Sequence, residues 1–288
     1  EATARERVGP TDAAVPSLTV EEVRGMRVYW EVAKRSFRQH ATYRGATVAG
    51  VITNTAFGFI QAYVLLAVFA QRVDVNGFSA VETTTFVFAA QGFLMVVSAF
   101  ADRTIATRVK SGDVVADLYR PVDFQVYWLA HTLGRAIFHL FARGIPPFLA
   151  GALVLDLQLP GAASTWLAFL LATFAAVVLS YTFAFLYNLL AFWVIDIRGV
   201  IQLATTFLLF FSGSIIPLFF FPGWLESLAR ILPFAGMIQL PVEIFLGRHA
   251  GADLLAVLAF QCVWIVFLGA AGRAVLRGAM NRVVIQGG

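Results

Sequence analysis

Residues 46–69 read ATVAGVITNTAFGFIQAYVLLAVF, a run with no charged residue that exceeds the ~20 residues a helix needs to cross a bilayer. Five further apolar stretches follow at 84–101, 126–155, 165–191, 200–216 and 254–275, so the pattern predicts six spans. Over the 288 residues, 59% are hydrophobic and 13% charged, against roughly 45–50% and 25% in soluble domains. A water-soluble fold cannot hide that much apolar surface. The expected class is therefore all-α: a polytopic membrane protein of one domain, its six spans lying within residues 45–280.

Within the first span Ala46, Gly50, Asn54, Gly58 and Ala62 recur every four residues, a seam of small side chains that lets another helix approach. Ahead of it, Val23, Met26, Trp30, Ala33 and Phe37 alternate at helical spacing with Arg24, Arg27, Glu31, Lys34, Arg35 and Arg38. Residues 20–44 thus read as an amphipathic interfacial helix. Its Met26, Trp30 and Phe37 would sit at membrane depth, with Lys34 and the arginines toward anionic headgroups or a cytoplasmic partner. In residues 1–19 no apolar run follows Arg5 and Arg7, and this part reads as a disordered tail.

The third stretch is interrupted: Arg135, His139 and Arg143 punctuate its first half, and Pro146-Pro147 must bend it. Those arginines are expected to snorkel or pair with protein groups, with a substrate-facing charge as the alternative. After the fifth stretch, Ser212, Gly213, Ser214 and Pro217 loosen the chain, and Pro222 and Pro233 bracket a short amphipathic piece at 224–232. This reads as a broken or re-entrant element between spans five and six.

Basic residues set the orientation. With the N-terminus inside, six fall between Arg24 and Arg44, four in the loop from Asp102 to Pro121, one at Arg198 and three near the C-terminus, whereas Arg72, Arg230 and Arg248 face out. Both termini are then cytoplasmic, residues 281–288 forming a short tail, in the plasma membrane. The net charge of +4 is spread over span ends rather than gathered in a soluble patch, so nucleic acid is not an expected partner.

Little catalytic chemistry is visible. His40, His131, His139 and His249 show no metal-ligand spacing, so no metal is expected. The single Cys262 is expected to be a small core residue, and Phe211-Ser212-Gly213-Ser214 is not a nucleophile elbow. No Gly-Lys pair occurs, which excludes a phosphate-binding P-loop. More informative is the loop after span two. Thr104 to Lys110 can form a short helix carrying Arg108 and Lys110 just after Arg103, and Ser111-Gly112-Asp113 can cap a second that stops before Pro121. About twenty residues is long for a mere turn, and a docking surface for a soluble protein is the expectation, with a hairpin lying on the lipid surface as the alternative.

The segment Gly112-Asp113-Val114-Val115-Ala116-Asp117-Leu118-Tyr119-Arg120-Pro121-Val122 resembles the stretch between spans two and three of ABC-2 type permeases, its Leu-x-Arg-Pro ending above all. A second likeness runs from Ser212-Gly213 to Pro217, through Phe221-Pro222, Trp224-Leu225 and Leu232-Pro233-Phe234 to Pro241 and Gly247. It is similar to the region between spans five and six in the branch whose permeases are separate six-span polypeptides. Together with the interfacial helix and the span count, the resemblance covers roughly residues 22–280, and residues 1–19 fall outside it.

The resemblance implies the permease subunit of an ATP-binding cassette exporter, not itself an enzyme, which pairs with a second permease subunit, a homodimer before a heterodimer. Two ATPase subunits would bind on the cytoplasmic side and hold the ATP and magnesium, this chain needing no cofactor of its own. It further implies that Arg103, Arg108, Asp113, Val115, Leu118, Tyr119 and Arg120 lie at or near the ATPase-coupling surface, with the interfacial helix beside it. Spans one, two and five would form the path, nominating Asn54, Phe57, Gln61, Thr205, Thr206 and Phe210 as its lining. Phenylalanines with a few amides and hydroxyls suit a hydrophobic or amphipathic cargo such as a drug, antibiotic or lipid. The rival reading is a secondary carrier driven by an ion gradient, which calls for ionisable groups at mid-membrane and often repeated halves; no span carries a central carboxylate and no repeat is evident.

Overall fold

The structure is a computed structural model that describes residues 20–97, 102–194 and 196–286, with side chains from Met26 to Asn281 within those ranges. The expected tail at 1–19 and the end of the second stretch at 98–101 lie outside the described residues. Among those described, the chain is helical and no strand forms beyond an isolated bridge between Val75 and Phe78.

Helix α1 (Val20–Thr42) breaks at Tyr43, and α2 (Arg44–Phe69) follows directly as the first apolar stretch. Next comes α3 (Ala80–Val96), which begins four residues before the expected start because Ser79 and Glu82 form a capping box that fixes its first turn. The third stretch is indeed interrupted, though before the prolines. Helix α6 (Phe124–His139) passes through a π-helical turn, Leu140–Gly144, into α7 (Ile145–Ala152). Pro146 and Pro147 occupy the first turn of α7, where their missing N–H groups cost nothing. Between α3 and α6 lie two short helices, α4 (Thr104–Ser111) and α5 (Val114–Leu118).

Helix α8 (Ala163–Leu189) is the fourth stretch and α9 (Arg198–Phe211) the fifth, ending five residues short of the expected Ile216. The segment after it is broken into a 3-10 turn at Leu218–Phe220, α10 (Gly223–Ile231), a second 3-10 turn at Ala235–Met237 and α11 (Gln239–Phe245). Finally α12 (Gly251–Gln286) carries on through most of the expected tail as one helix.

Helix α3 forms the centre: residues from Thr83 to Phe93 are buried all round, between α2, the π turn, α7 and α11. The largest core joins its Phe86 and Phe93 to Leu179 and Tyr187 of α8, Ile201 and Leu208 of α9, Val242 of α11 and Ile238 just before it. Helix α12 lies along α8, and α1 lies along α6. At that last contact a Cβ on Gly134 would collide with the carbonyl of Ala33, so only glycine lets α1 approach so closely.

The periphery is as apolar as the core. On α2, Val48, Ile52, Phe57, Ile60 and Val64 are exposed, and on α12, Leu255, Val263, Val266 and Phe267. Three helices, Arg44–Phe69, Ala163–Phe192 and Gly251–Asn281, are long and apolar enough to span a bilayer, and Ala80–Val96 and Arg198–Phe211 are shorter apolar helices. Apolar rods with outward apolar faces belong in lipid, and the chain is a multi-pass membrane protein. That environment also corrects the expectation for Cys262, which is exposed on α12 rather than in the core, because lipid accepts a thiol on the outer face as readily as the interior does.

Candidate functional site

The hairpin of α4 and α5 is built around one carboxylate. Gly112 adopts the left-handed conformation with φ of 83°, which ends α4 and turns the chain sharply into α5. Asp113 stands at the N-cap of α5, but its carboxylate accepts from the Ser111 hydroxyl at 2.8 Å and makes no cap bond. Asp117, 3% exposed, receives the Arg108 guanidinium from α4 and that of Arg120 at 3.1 Å from the chain leaving α5. One buried acid thus ties both arms of the turn. Beneath it Leu118 packs with Ile105, Val114, Phe124 and Trp128, and the Arg120 guanidinium lies over the Tyr127 ring at 4.8 Å from its centroid.

The hairpin is also fastened to α8. Asn188, buried at the end of that helix, accepts from Ala106 N–H at 2.9 Å and donates to the Asp102 carbonyl at 2.9 Å and the Ala184 carbonyl at 2.8 Å. The apolar and aromatic side chains left facing outward are Val115, and Tyr119 at 86% exposed, with Asp113 exposed at the turn beside them. Of the proposed coupling residues, then, Val115 and Tyr119 face out, Arg108, Leu118 and Arg120 hold the hairpin's shape, and Arg103 precedes α4 on its exposed rim. Sequence reasoning passed over Asp117 and Asn188. The signal for the first was an acid with arginines nine residues before and three after it; for the second, an amide closing an apolar run.

Between the hairpin and α1 opens a cleft of about 1540 Å³, lined by Arg27, Arg35, Arg38, Arg103, Arg108 and Arg120 against two acids, Glu31 and Asp113. Its charge is strongly positive. On α1 the exposed Met26 and Trp30 lie on a different side from the groove-lining residues, Lys34 pairs with Glu31 at 3.5 Å, and Phe37 meets the Phe138 ring edge-on. A second cleft, about 710 Å³, separates the hairpin from the α8–α9 turn, where Arg198 grips Asp196 at 2.6 Å.

The small-residue seam of α2 packs inside the chain. Gly58 and Ala62 meet α3, and a polar ladder runs beside them. Asn54 donates to the Gln91 carbonyl at 3.3 Å, the Gln91 amide donates to the Gln61 side chain at 2.9 Å, and Gln61 donates to the Ile215 carbonyl at 2.7 Å past the end of α9. Two of the proposed path residues, Asn54 and Gln61, are therefore joined through Gln91, which sequence reasoning did not single out. Phe57 and Thr206 point outward, Thr205 is buried on the other side of α9, and Phe210 stacks toward Phe221. These four do not join the ladder.

In the broken segment that follows α9, Glu243 of α11 gathers Arg230 at 2.7 Å, Gln239 at 2.8 Å and His249 at 3.0 Å. The Gln239 side chain also accepts from Leu218 N–H at 3.0 Å, so the broken segment is held as a unit. The histidines, dispersed in sequence, partly converge: His40 of α1 sits 6.3 Å from His131 and 5.4 Å from His139, ring centre to ring centre. Among the described residues no group of three His, Cys, Asp or Glu side chains is placed to hold a metal.

A model of the ABC-2 family transporter proteins matches residues 55–287, beginning midway through α2 and running to the end of α12. Compared with curated proteins and with solved structures, the chain finds no significant match. The match takes in the hairpin, the polar ladder's partners on α3 and beyond the end of α9, and the broken segment, four-fifths of the sequence, and the chain belongs to the ABC-2 family of transporter membrane proteins.

Proposed function

We propose that this chain is the permease subunit of an ATP-binding cassette exporter, moving a hydrophobic or amphipathic substrate such as a drug, antibiotic or lipid outward. In this reading six segments cross the plasma membrane: α2, α3, the α6–α7 pair, α8, α9 and α12, with both termini in the cytoplasm. Helix α1 lies at the inner interface, and α10 and α11 form the re-entrant cap at the outer side. Two copies pair, and two ATPase subunits supply the ATP and magnesium chemistry.

The observation that carries the reading is the hairpin. An exposed tyrosine and valine are presented on a scaffold cross-braced by a buried carboxylate and fixed by an amide to a membrane helix. A push on Tyr119 has a stiff route to α8, as a device that couples ATPase closure to helix movement requires. Helix α3 is about 26 Å long and α9 about 21 Å at 1.5 Å per residue, so both are short for a ~30 Å core. Between them the ladder of amides offers polar groups to an amphipathic cargo.

The test is co-expression with a candidate ATPase. Association in detergent and ATP-dependent flux in proteoliposomes are expected, both lost on substituting Tyr119 and Val115. Flux that continues without nucleotide and follows an imposed proton or sodium gradient would return the reading to a secondary carrier.

A further inference from the structure

Along α6 and the π turn, His131, Arg135, His139 and Arg143 recur every four residues, so their side chains share one flank. The first three meet other polar side chains or a carbonyl, although Nδ1 of His139 is also buried without a hydrogen bond. His131 and His139 pack against His40, and Arg135 donates to the Met95 carbonyl at 3.3 Å. Arg143 differs. Its guanidinium lies against Gly50 of α2, in the space a Cβ there would occupy. Among the described residues no carboxylate or carbonyl accepts a hydrogen bond from it, and its Nε is buried without a partner.

Gly50 is one helical turn from Asn54, so this cation stands at one end of the ladder that continues through Gln91 and Gln61. Apolar surface adjoins it. Phe57, two turns along α2 on the face that carries Gly50 and Asn54, is exposed. A guanidinium held among apolar helices without a protein anion is costly in a bilayer unless something negative reaches it. Its planar fork of donors matches a carboxylate or phosphate, two hydrogen bonds at a time.

We propose that Arg143 seats the anionic head of an amphipathic ligand, a carboxylate or phosphate ester, whose apolar chain runs along α2 toward Phe57. This deepens the permease reading, on which it rests for the ligand being cargo: the substrate class becomes the anionic amphiphile. The same head chemistry is carried by acidic bilayer lipids, and the experiment separates the two sources.

Purified permease, without any ATPase, is placed in phosphatidylcholine nanodiscs and titrated with a pyrene-labelled fatty acid and with its methyl ester. The acid is expected to bind at least tenfold more tightly than the ester. Arg143→Gln should abolish that preference while leaving ester binding unchanged, and Arg143→Lys should keep part of it. Equal binding of acid and ester by the wild-type protein overturns the proposal, as does an Arg143→Gln protein that binds ester normally and still prefers the acid.

Should Arg143→Gln fail to fold, wild-type competition decides. Dodecyl phosphate should displace the labelled acid and dodecyltrimethylammonium should not; equal displacement refutes the seat. Adding phosphatidylglycerol to the nanodisc assigns the source, displacement marking bilayer lipid and its absence marking cargo, and either supports the anionic seat. Because binding is read without nucleotide, its failure leaves ATPase association and flux untouched, and failure of those leaves this measurement standing.

Discussion

Arg108 and Asp117 meet across the turn that Gly112 makes, the arginine partly exposed on α4 and the carboxylate sealed beneath α5. Arg120 closes on the same carboxylate from the other side. Replacing Asp117 by alanine leaves two guanidiniums facing each other over an emptied site, and a buried hydrogen-bonded group removed in this way costs about 1–3 kcal/mol. Asp117→Ala should therefore loosen the hairpin without unfolding the bundle. Trypsin cleavage after Arg108 and Lys110 should speed up, while the main melting transition moves little. Unchanged cleavage would mean the carboxylate does not brace the turn.

Tyr119 and Val115 make the opposite prediction. Their side chains face outward and contribute little to the core, so Tyr119→Ala and Val115→Ser should change stability by no more than about 0.5 kcal/mol, as surface substitutions usually do. Association with the ATPase, read by co-purification, should fall sharply in the double variant. A variant that melts early yet keeps its partner would reverse their assigned roles.

The apolar rods and the two short helices of the hairpin were legible because each is written in local pattern, hydropathy and a glycine turn, whereas α3 was expected four residues late because its Ser79–Glu82 capping box went unread. Asp117 was not, because an acid in a five-residue helix reads as solvated until its arginines are seen folding over it. Asn188 looked like one polar residue in a greasy run, and only the fold brings Ala106 to it. The meeting of His40 with His131 and His139 depends on α1 lying along α6, a tertiary fact without a sequence period. Cys262 was misplaced for a related reason. Burial rules drawn from water put a small apolar side chain inside, and a lipid-facing helix removes the distinction.

Gln91 joins two helices of the proposed path. It is 6% exposed, and its amide donates to Gln61 while its own carbonyl receives Asn54. Gln91→Ala keeps the backbone bond to Asn54 but leaves the Gln61 side-chain oxygen without its donor. A loss of about 1–2 kcal/mol is expected, within the range for one interhelical hydrogen bond in a membrane bundle plus the cavity it leaves. Thermal unfolding in detergent measures this. If the ladder also contacts cargo, flux in proteoliposomes should fall by more than the stability loss explains, and Gln91→Glu should fall furthest because it brings a carboxylate to the dry seam.

His249 lies in the loop between α11 and α12, with Nε2 3.0 Å from Glu243 and Nδ1 2.5 Å from Asp253. Both partners are carboxylates that only accept, so both ring nitrogens donate and the imidazole is the charged form. The hydrogen bond to Glu243 is the main reason its pKa is raised above the usual 6.5, partial burial pulling the other way and Asp253 adding to the rise. A raised folded-state pKa stabilises fully below the unfolded value of about 6.5 and loses that contribution as pH climbs through the folded value. Wild-type protein should therefore exceed His249→Gln by about 1.5 kcal/mol at pH 6, the scale of a hydrogen bond to a charged partner. That gap should narrow steadily toward pH 9. Melting curves of the two proteins across this range check the sign: a gap that widens with pH would mean the imidazole sits there neutral, and the clasp on Glu243 would then rest on Arg230 and Gln239 alone.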